Sequence, residues 1–128
     1  MRLLLDTHAF LWWLDGDRRL STKVRTLVAA ADTEVLVSAA SAWEITTKFR
    51  LGKLPAAVDV AADVRGALLS QGFVELPMSV SHAARAGALS APDRDPFDRV
   101  LAAQSILTGV PIASIDDAFD RLGATRIW

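Results

Sequence analysis

Four acidic residues stand at points where an α/β chain delivers side chains to one pocket: Asp6 after LLL, Glu44 in SAWEI, Asp98 in DPFDRV and Asp116 after IASI. Asp6 and Asp116 each follow a short apolar run that reads as a strand. Glu44 and Asp98 fall within or at the start of helical patterns. Loops and helix starts beyond strand ends are where open α/β sheets build their sites. Four converging carboxylates need a cation, and their oxygens suit a hard one such as Mg²⁺ or Mn²⁺. Such an ion can acidify a water and neutralise charge on a phosphodiester, so no protein nucleophile is needed. The chain has no cysteine and no G-x-S-x-G turn, in keeping with that chemistry.

Each acid also has a purely structural reading. Asp6 and Asp116 could cap the helices that follow them, and Asp98 could favour the positive end of its helix. Glu44 could pair with Lys48 one turn later, since a lone buried charge among Ala42, Trp43 and Ile45 would be costly. Thr7 and Ser114 could hydrogen-bond a carboxylate or a water in such a cluster, or serve as capping and turn residues. Asp93, Asp95 and Asp98 lack the glycine and the bidentate glutamate of a calcium loop. His8 and His82 lie far apart without zinc-ligand spacing and read as surface or packing residues. Basic residues form three groups: Arg18, Arg19, Lys23 and Arg25; Lys48, Arg50 and Lys53; Arg94 and Arg99. They could follow a phosphate backbone or form a solvated face, and Arg99 could make an internal ion pair.

The elements that must position these residues alternate. Residues 2–6 read as a buried strand and 7–14 as a short helix that is apolar on more than one face. Ser21 can cap a second helix, residues 34–37 form the next strand, and residues 39–51 form a third helix stopped by Gly52 and Pro55. A fourth helix is expected over residues 58–71, then a strand over 73–76 and a short helix, capped by Ser79 or Ser81, through Leu89. Pro96 opens the longest helix, which ends at Gly109. Residues 111–114 give a fourth strand, 117–122 a short helix and 125–127 an edge strand. This alternation predicts one domain over residues 1–128, an α/β/α sandwich with a mainly parallel sheet. A single pocket further requires the first and fourth strands to be adjacent.

Composition sets wider bounds. The chain has 128 residues, 52% of them hydrophobic, enough for a core without disulfides or structural metals. With a net charge of −1, attraction to nucleic acid must rest on local patches rather than on the whole molecule. The uncharged run from Val100 to Ile115 is too short for a bilayer span and is interrupted by Gly109 and Pro111. No secretion signal is visible, which suits a cytoplasmic protein with no membrane association.

The segments LLLDTHAFLWWL, SAASAWEI, DRDPFDRVLAAQS and IASID, in that order over almost the whole chain, resemble PIN-domain ribonucleases of the VapC toxin type. The resemblance implies a Rossmann-like α/β/α fold. It also implies that Asp6, Glu44, Asp98 and Asp116 bind Mg²⁺ or Mn²⁺ for endonucleolytic RNA cleavage, supported by Thr7 and Ser114. A VapB-type antitoxin that wraps the toxin, and a toxin homodimer, are implied as partners. Relatives commonly carry a histidine two residues before DPFDR, where this chain has Asp93, which adds negative charge near the site. Phe10, Trp12 and Trp13 either fill the core or leave an apolar face for a partner helix.

Two other functions are compatible with parts of the pattern. A haloacid-dehalogenase-like phosphatase also places an aspartate after its first strand, but its second aspartate falls here at His8. A catalytically inactive PIN-like module could bind RNA or protein, although all four acids are present.

Overall fold

The computed structural model describes residues 1–128. Five strands, β1 (Arg2–Leu5), β2 (Glu34–Ser38), β3 (Val74–Leu76), β4 (Ile112–Ala113) and β5 (Arg126–Ile127), form one sheet in the order β3-β2-β1-β4-β5. Every pairing is parallel. The helices are α1 (Thr7–Asp15), α2 (Thr22–Ala29), α3 (Ala39–Arg50), α4 (Val58–Ala62), α5 (Val64–Ser70), α6 (Val80–Ala88), α7 (Pro96–Thr108) and α8 (Ala118–Arg121).

Alternation along the strands separates two cores. Leu3, Leu5, Val35 and Val37 face one side, packed with Phe10 and Leu11 of α1, Val24 and Val28 of α2, and Val64 and Leu68 of α5. Leu4, Leu36 and Ile112 face the other, with Val100 and Leu101 of α7 and Phe119 of α8. Leu3, Leu4 and Leu5 are fully buried, and burying a leucine stabilises the fold by about 1.5–3 kcal/mol. Because both faces of β1 are covered, its sequence is an unbroken apolar run, as expected of a central parallel strand.

Polar side chains fix where the helices begin. Asp6 caps α1, Ser21 caps α2, Ser38 caps α3, Ser79 caps α6 and Asp95 caps α7. Pro96 opens α7, where its missing N–H costs nothing, and Gly109 closes it at φ 68°, a conformation that disfavours other residues.

The structure departs from expectation over residues 58–71, where one helix is replaced by a 3-10 turn at Pro55–Ala57 followed by α4 and α5. Asp63 breaks the run at φ −157°, and its carboxylate accepts the Gly66 N–H at 2.9 Å to start α5 afresh. A Cβ on Gly66 would lie 2.1 Å from the Asp63 Oδ2, so the glycine makes room for the cap. The apolar periodicity runs through the break and hides it. Phe10, Trp12 and Trp13 also resolve toward the core. Phe10 is fully buried and Trp12 nearly so. Trp13 packs on Phe73 and donates its indole N–H to Gln71 at 3.0 Å. Trp12 meets Trp128 edge-on at 5.9 Å, with the Arg19 guanidinium 4.9 Å from its ring. Phe10 and Trp12 thus belong to the core, while Trp13 is half-buried.

Candidate functional site

Strand order locates the site. From β1 the chain steps outward to β2 and β3, then crosses back to place β4 on the other side of β1. The C-terminal ends of β1 and β4 therefore border the topological switch point, the crevice where open α/β sheets bind ligands. Asp6 follows β1 directly, and Ser114 follows β4. Pairing of Leu5 with Ala113 puts them side by side, which meets the adjacency that a single pocket requires. The fold brings Asp6, Glu44, Asp98 and Asp116 together around one cleft of about 380 Å³, which Thr7, His8, Trp12, Lys48, Asp95 and Ile115 also line.

The structural roles suggested for Asp6, Glu44, Thr7 and Ser114 are realised at the same time. One Asp6 oxygen, Oδ1, accepts the Ala9 N–H at 2.7 Å, and the other accepts the Ser114 hydroxyl at 2.5 Å. The same hydroxyl oxygen accepts the Asp116 N–H at 3.0 Å, and Asp116 Oδ1 accepts the Ala118 N–H at 2.9 Å. Thr7 donates its hydroxyl to Glu44 Oε1 at 2.5 Å, with Ser41 Oγ 3.0 Å from that hydroxyl. Glu44 Oε2 forms an ion pair with Lys48. Thr7 and Ser114 thus hold the carboxylates of neighbouring elements, and Asp6 and Glu44 are almost completely buried.

Electrostatics show an excess of negative charge. Burial pushes the Asp6 carboxyl up to about 6, against the lowering influence of its bonds from Ser114 and Ala9 and of nearby His8, while the Glu44 charge pushes the same way as burial. Asp98 rises to about 7, first from burial and then from repulsion by Asp95, Glu44, Asp116 and Asp6. Burial opposes the charge on Lys48, but its bond to Glu44 and the charges of Glu44, Asp95 and Asp98 more than offset this and raise its pKa. Lys48 is the only lysine or arginine on the wall of the cleft.

Such a donor set fits a hard divalent cation in chemistry and charge. In the arrangement seen, no three of the carboxylates form a ready-made ligand cluster. Local hydrogen bonds hold Asp6 and Glu44 in place. Mg²⁺ commonly keeps several waters and contacts few carboxylates directly, so the wide spacing is compatible with that ion.

Two residues of the wall were passed over in the sequence. Asp95 joins the cleft as the cap of α7, accepting the N–H groups of Phe97 and Asp98 at 2.9 and 3.1 Å. Its position before a proline at the first helical turn is the signal that could have placed it there. Lys48, read from the sequence as a partner for Glu44 or as one of a basic group, faces the cleft because the i, i+4 spacing puts both on one face of α3.

Two expectations are corrected. Asp93 does not load the site with charge. It forms an ion pair with Arg121 at 2.9 Å, and the hydrogen bond from that guanidinium holds its carboxyl below the usual range despite some desolvation. Arg99 makes no ion pair. Its guanidinium donates to the carbonyls of Ala86 at 2.9 Å, Leu89 at 2.5 Å, Ala91 at 3.0 Å and Asp93 at 2.7 Å, clamping the segment that leads into α7. Arg19 and Arg25 are likewise occupied, by the Asp17 side chain and the Asp17 carbonyl.

An α/β/α fold of parallel strands with an acidic cleft at the switch point defines a class of protein, and residues 3–124 match the family model of the PIN domain. The chain belongs to the PIN domain family. It is similar to Ribonuclease VapC16 of Mycobacterium tuberculosis, at 41% identity over 61 residues, or 48% of this chain and 42% of the relative. The match thus spans less than half of that curated relative's length.

Solved structures share the fold at low identity. VapBC2 of Rickettsia felis, bound to a DNA fragment from their promoter, aligns with a TM-score of 0.72 at 13% identity, covering 99% of this chain and 98% of the other. FitAcB of Neisseria gonorrhoeae aligns at 0.67 and 17%, covering 98% and 96%. VapC20 of M. tuberculosis, described as a toxin cleaving the sarcin-ricin loop, aligns at 0.67 and 22%, covering 98% of each chain.

Proposed function

We propose that this chain is a divalent-cation-dependent endoribonuclease and the toxin of a VapBC-type toxin–antitoxin pair. The observation that carries this reading is the convergence of Asp6, Glu44, Asp98 and Asp116 on one cleft at the switch point, with two of the carboxyls raised by burial and repulsion. Asp6, Glu44 and Asp98 would hold Mg²⁺ or Mn²⁺, with Asp116 as a further ligand or as the group that orients water. When bound, the cation supplies an acidified water and neutralises charge on the phosphate oxygens.

The protein's own contribution is to hold these groups in place. Ser114 fixes Asp6 and the Asp116 backbone together, and Thr7 fixes Glu44 against α1. Trp12 and Ile115 form the apolar part of the wall.

The VapBC2 complex supports a VapB-type antitoxin as partner; under the same proposal residues 1–128 form one domain, acting in the cytoplasm as a toxin homodimer. No helix is long and apolar enough to cross a membrane. The test is incubation of the antitoxin-free protein with total cellular RNA in Mg²⁺, Mn²⁺ or EDTA. Discrete fragments that need the metal support the reading; RNA retention without cleavage in either metal would favour an inactive binding module.

A further inference from the structure

Both oxygens of Glu44 are engaged. Oε1 accepts from Thr7 and Oε2 is paired with Lys48, while the carboxylate is almost fully buried. A cation approaching Oε2 has the same sign of charge as the ammonium already paired there, so the two compete for that oxygen. Thr7 is itself buried at the start of α1, with its hydroxyl enclosed by Ser41. Lys48 is the more accessible partner. Its side chain is 26% exposed and its stem of four carbons lets the ammonium swing away from Glu44. Its ammonium also lies 5.9 Å from the Phe97 ring, on the Asp98 side of the cleft.

We infer that Lys48 is an exchangeable counter-ion: it neutralises Glu44 in the metal-free protein, yields Glu44 Oε2 to a divalent cation, and then offers its ammonium to the RNA phosphate. This rests on the metal-site reading above. The released group remains in the cleft because α3 anchors its root one turn from Glu44, and no other lysine or arginine lines the wall to meet an incoming phosphate. Lys48 is accordingly a competitor of the cation for Glu44 and a binding residue for the substrate.

The opposing effects separate this role from a structural one. In Lys48→Met, calorimetric titration should show Mn²⁺ binding about five-fold tighter, since the competing charge is gone. RNA cleavage at saturating Mn²⁺ should nevertheless weaken about ten-fold, mainly through KM, because a charge-assisted contact to phosphate is lost. Lys48→Arg, which keeps the charge, should restore most of the cleavage. A packing role would weaken both metal binding and cleavage. Equal or weaker Mn²⁺ binding by folded Lys48→Met, or unchanged cleavage, overturns the inference. The native protein supplies an independent measurement, because the ¹⁵N ammonium resonance of Lys48 should shift on saturation with Mg²⁺, and an unmoved resonance overturns the inference even if the variants do not fold. Absence of Mn²⁺ and Mg²⁺ binding by the native protein would instead remove the metal site itself, and the Lys48 role with it.

Discussion

Ser114 and Asp6, separated by 108 positions in the chain, are joined by a 2.5 Å hydrogen bond from the serine hydroxyl to Oδ2. The bond ties the end of β4 to the end of β1 at the point where an acidic residue is nearly fully buried. Ser114→Ala should cost about 1–3 kcal/mol in urea denaturation at pH 7.5, the penalty for a buried acceptor deprived of its donor. The hydroxyl also lowers the Asp6 pKa, so the loss should shrink at pH 5, where Asp6 is largely protonated. A cost independent of pH would place the effect in packing alone.

Metal-free stability should fall as pH rises from about 4 to about 7. Asp6 and Asp98 have folded values near 6 and 7 against an ordinary value of 3.8. Within that window the folded state binds more protons than the unfolded chain, so raising the pH favours unfolding. Asp93 and Asp120 act in the opposite sense at lower pH. Guanidinium hydrogen bonds from Arg121 and Arg126 hold their carboxyls below 3.8, and the stability they contribute is lost as pH falls further. Thermal melts in EDTA at pH 5 and pH 7.5 check this, with the higher midpoint expected at pH 5. Saturating Mg²⁺ should reverse the order, because binding favours the ionised carboxylates.

The sequence was most legible where local chemistry and fold agree. The apolar run of β1 and the DPFD start of α7 placed Asp6 and Asp98, and the caps at Ser21 and Ser79 and the opening proline Pro96 marked helix starts. Less visible were features that depend on distant partners. The Asp63 break lies inside a continuous apolar pattern, and only its side-chain cap on Gly66 reveals it. Arg121 lies 28 residues from Asp93, so the neutralisation of Asp93 has no local signature. The packing of Trp12 depends on Trp128 at the other end of the chain.

Arg99 has no charged partner, yet its substitution should be severe. Replacing it by methionine leaves the carbonyls of Ala86, Leu89, Ala91 and Asp93 without their common donor. A loss of about 2–4 kcal/mol is expected, water recovering part of the hydrogen bonding. Lysine should restore little, since a single ammonium cannot reproduce the planar fork. Chemical denaturation of both variants is the check, and a fully stable Arg99→Lys would show that charge rather than geometry matters. Because Arg99 anchors the segment before Asp95 and Asp98, faster hydrogen exchange should appear across residues 89–95.

Asp98 faces the largest group of like charges, so removing its charge should help the metal-free fold while harming the site. Asp98→Asn is expected to gain about 0.5–2 kcal/mol in EDTA at pH 7.5, as active-site substitutions that relieve repulsion commonly do. Cleavage of RNA should fall by at least about a hundred-fold, the scale of losing a group that acts in the transition state. A variant that loses stability instead would indicate that Asp98 serves the helix start more than the site.

The most direct measurement is calorimetric titration of Mn²⁺ into the native protein and Asp98→Asn at pH 6.5, in two buffers of different ionisation enthalpy. The native protein should bind saturably and release protons, because Asp6 and Asp98 are partly protonated at that pH, and Asp98→Asn should bind more weakly and release fewer. No binding by the folded native protein, or binding that Asp98→Asn leaves unchanged, would contradict the assignment of this cleft as the metal centre.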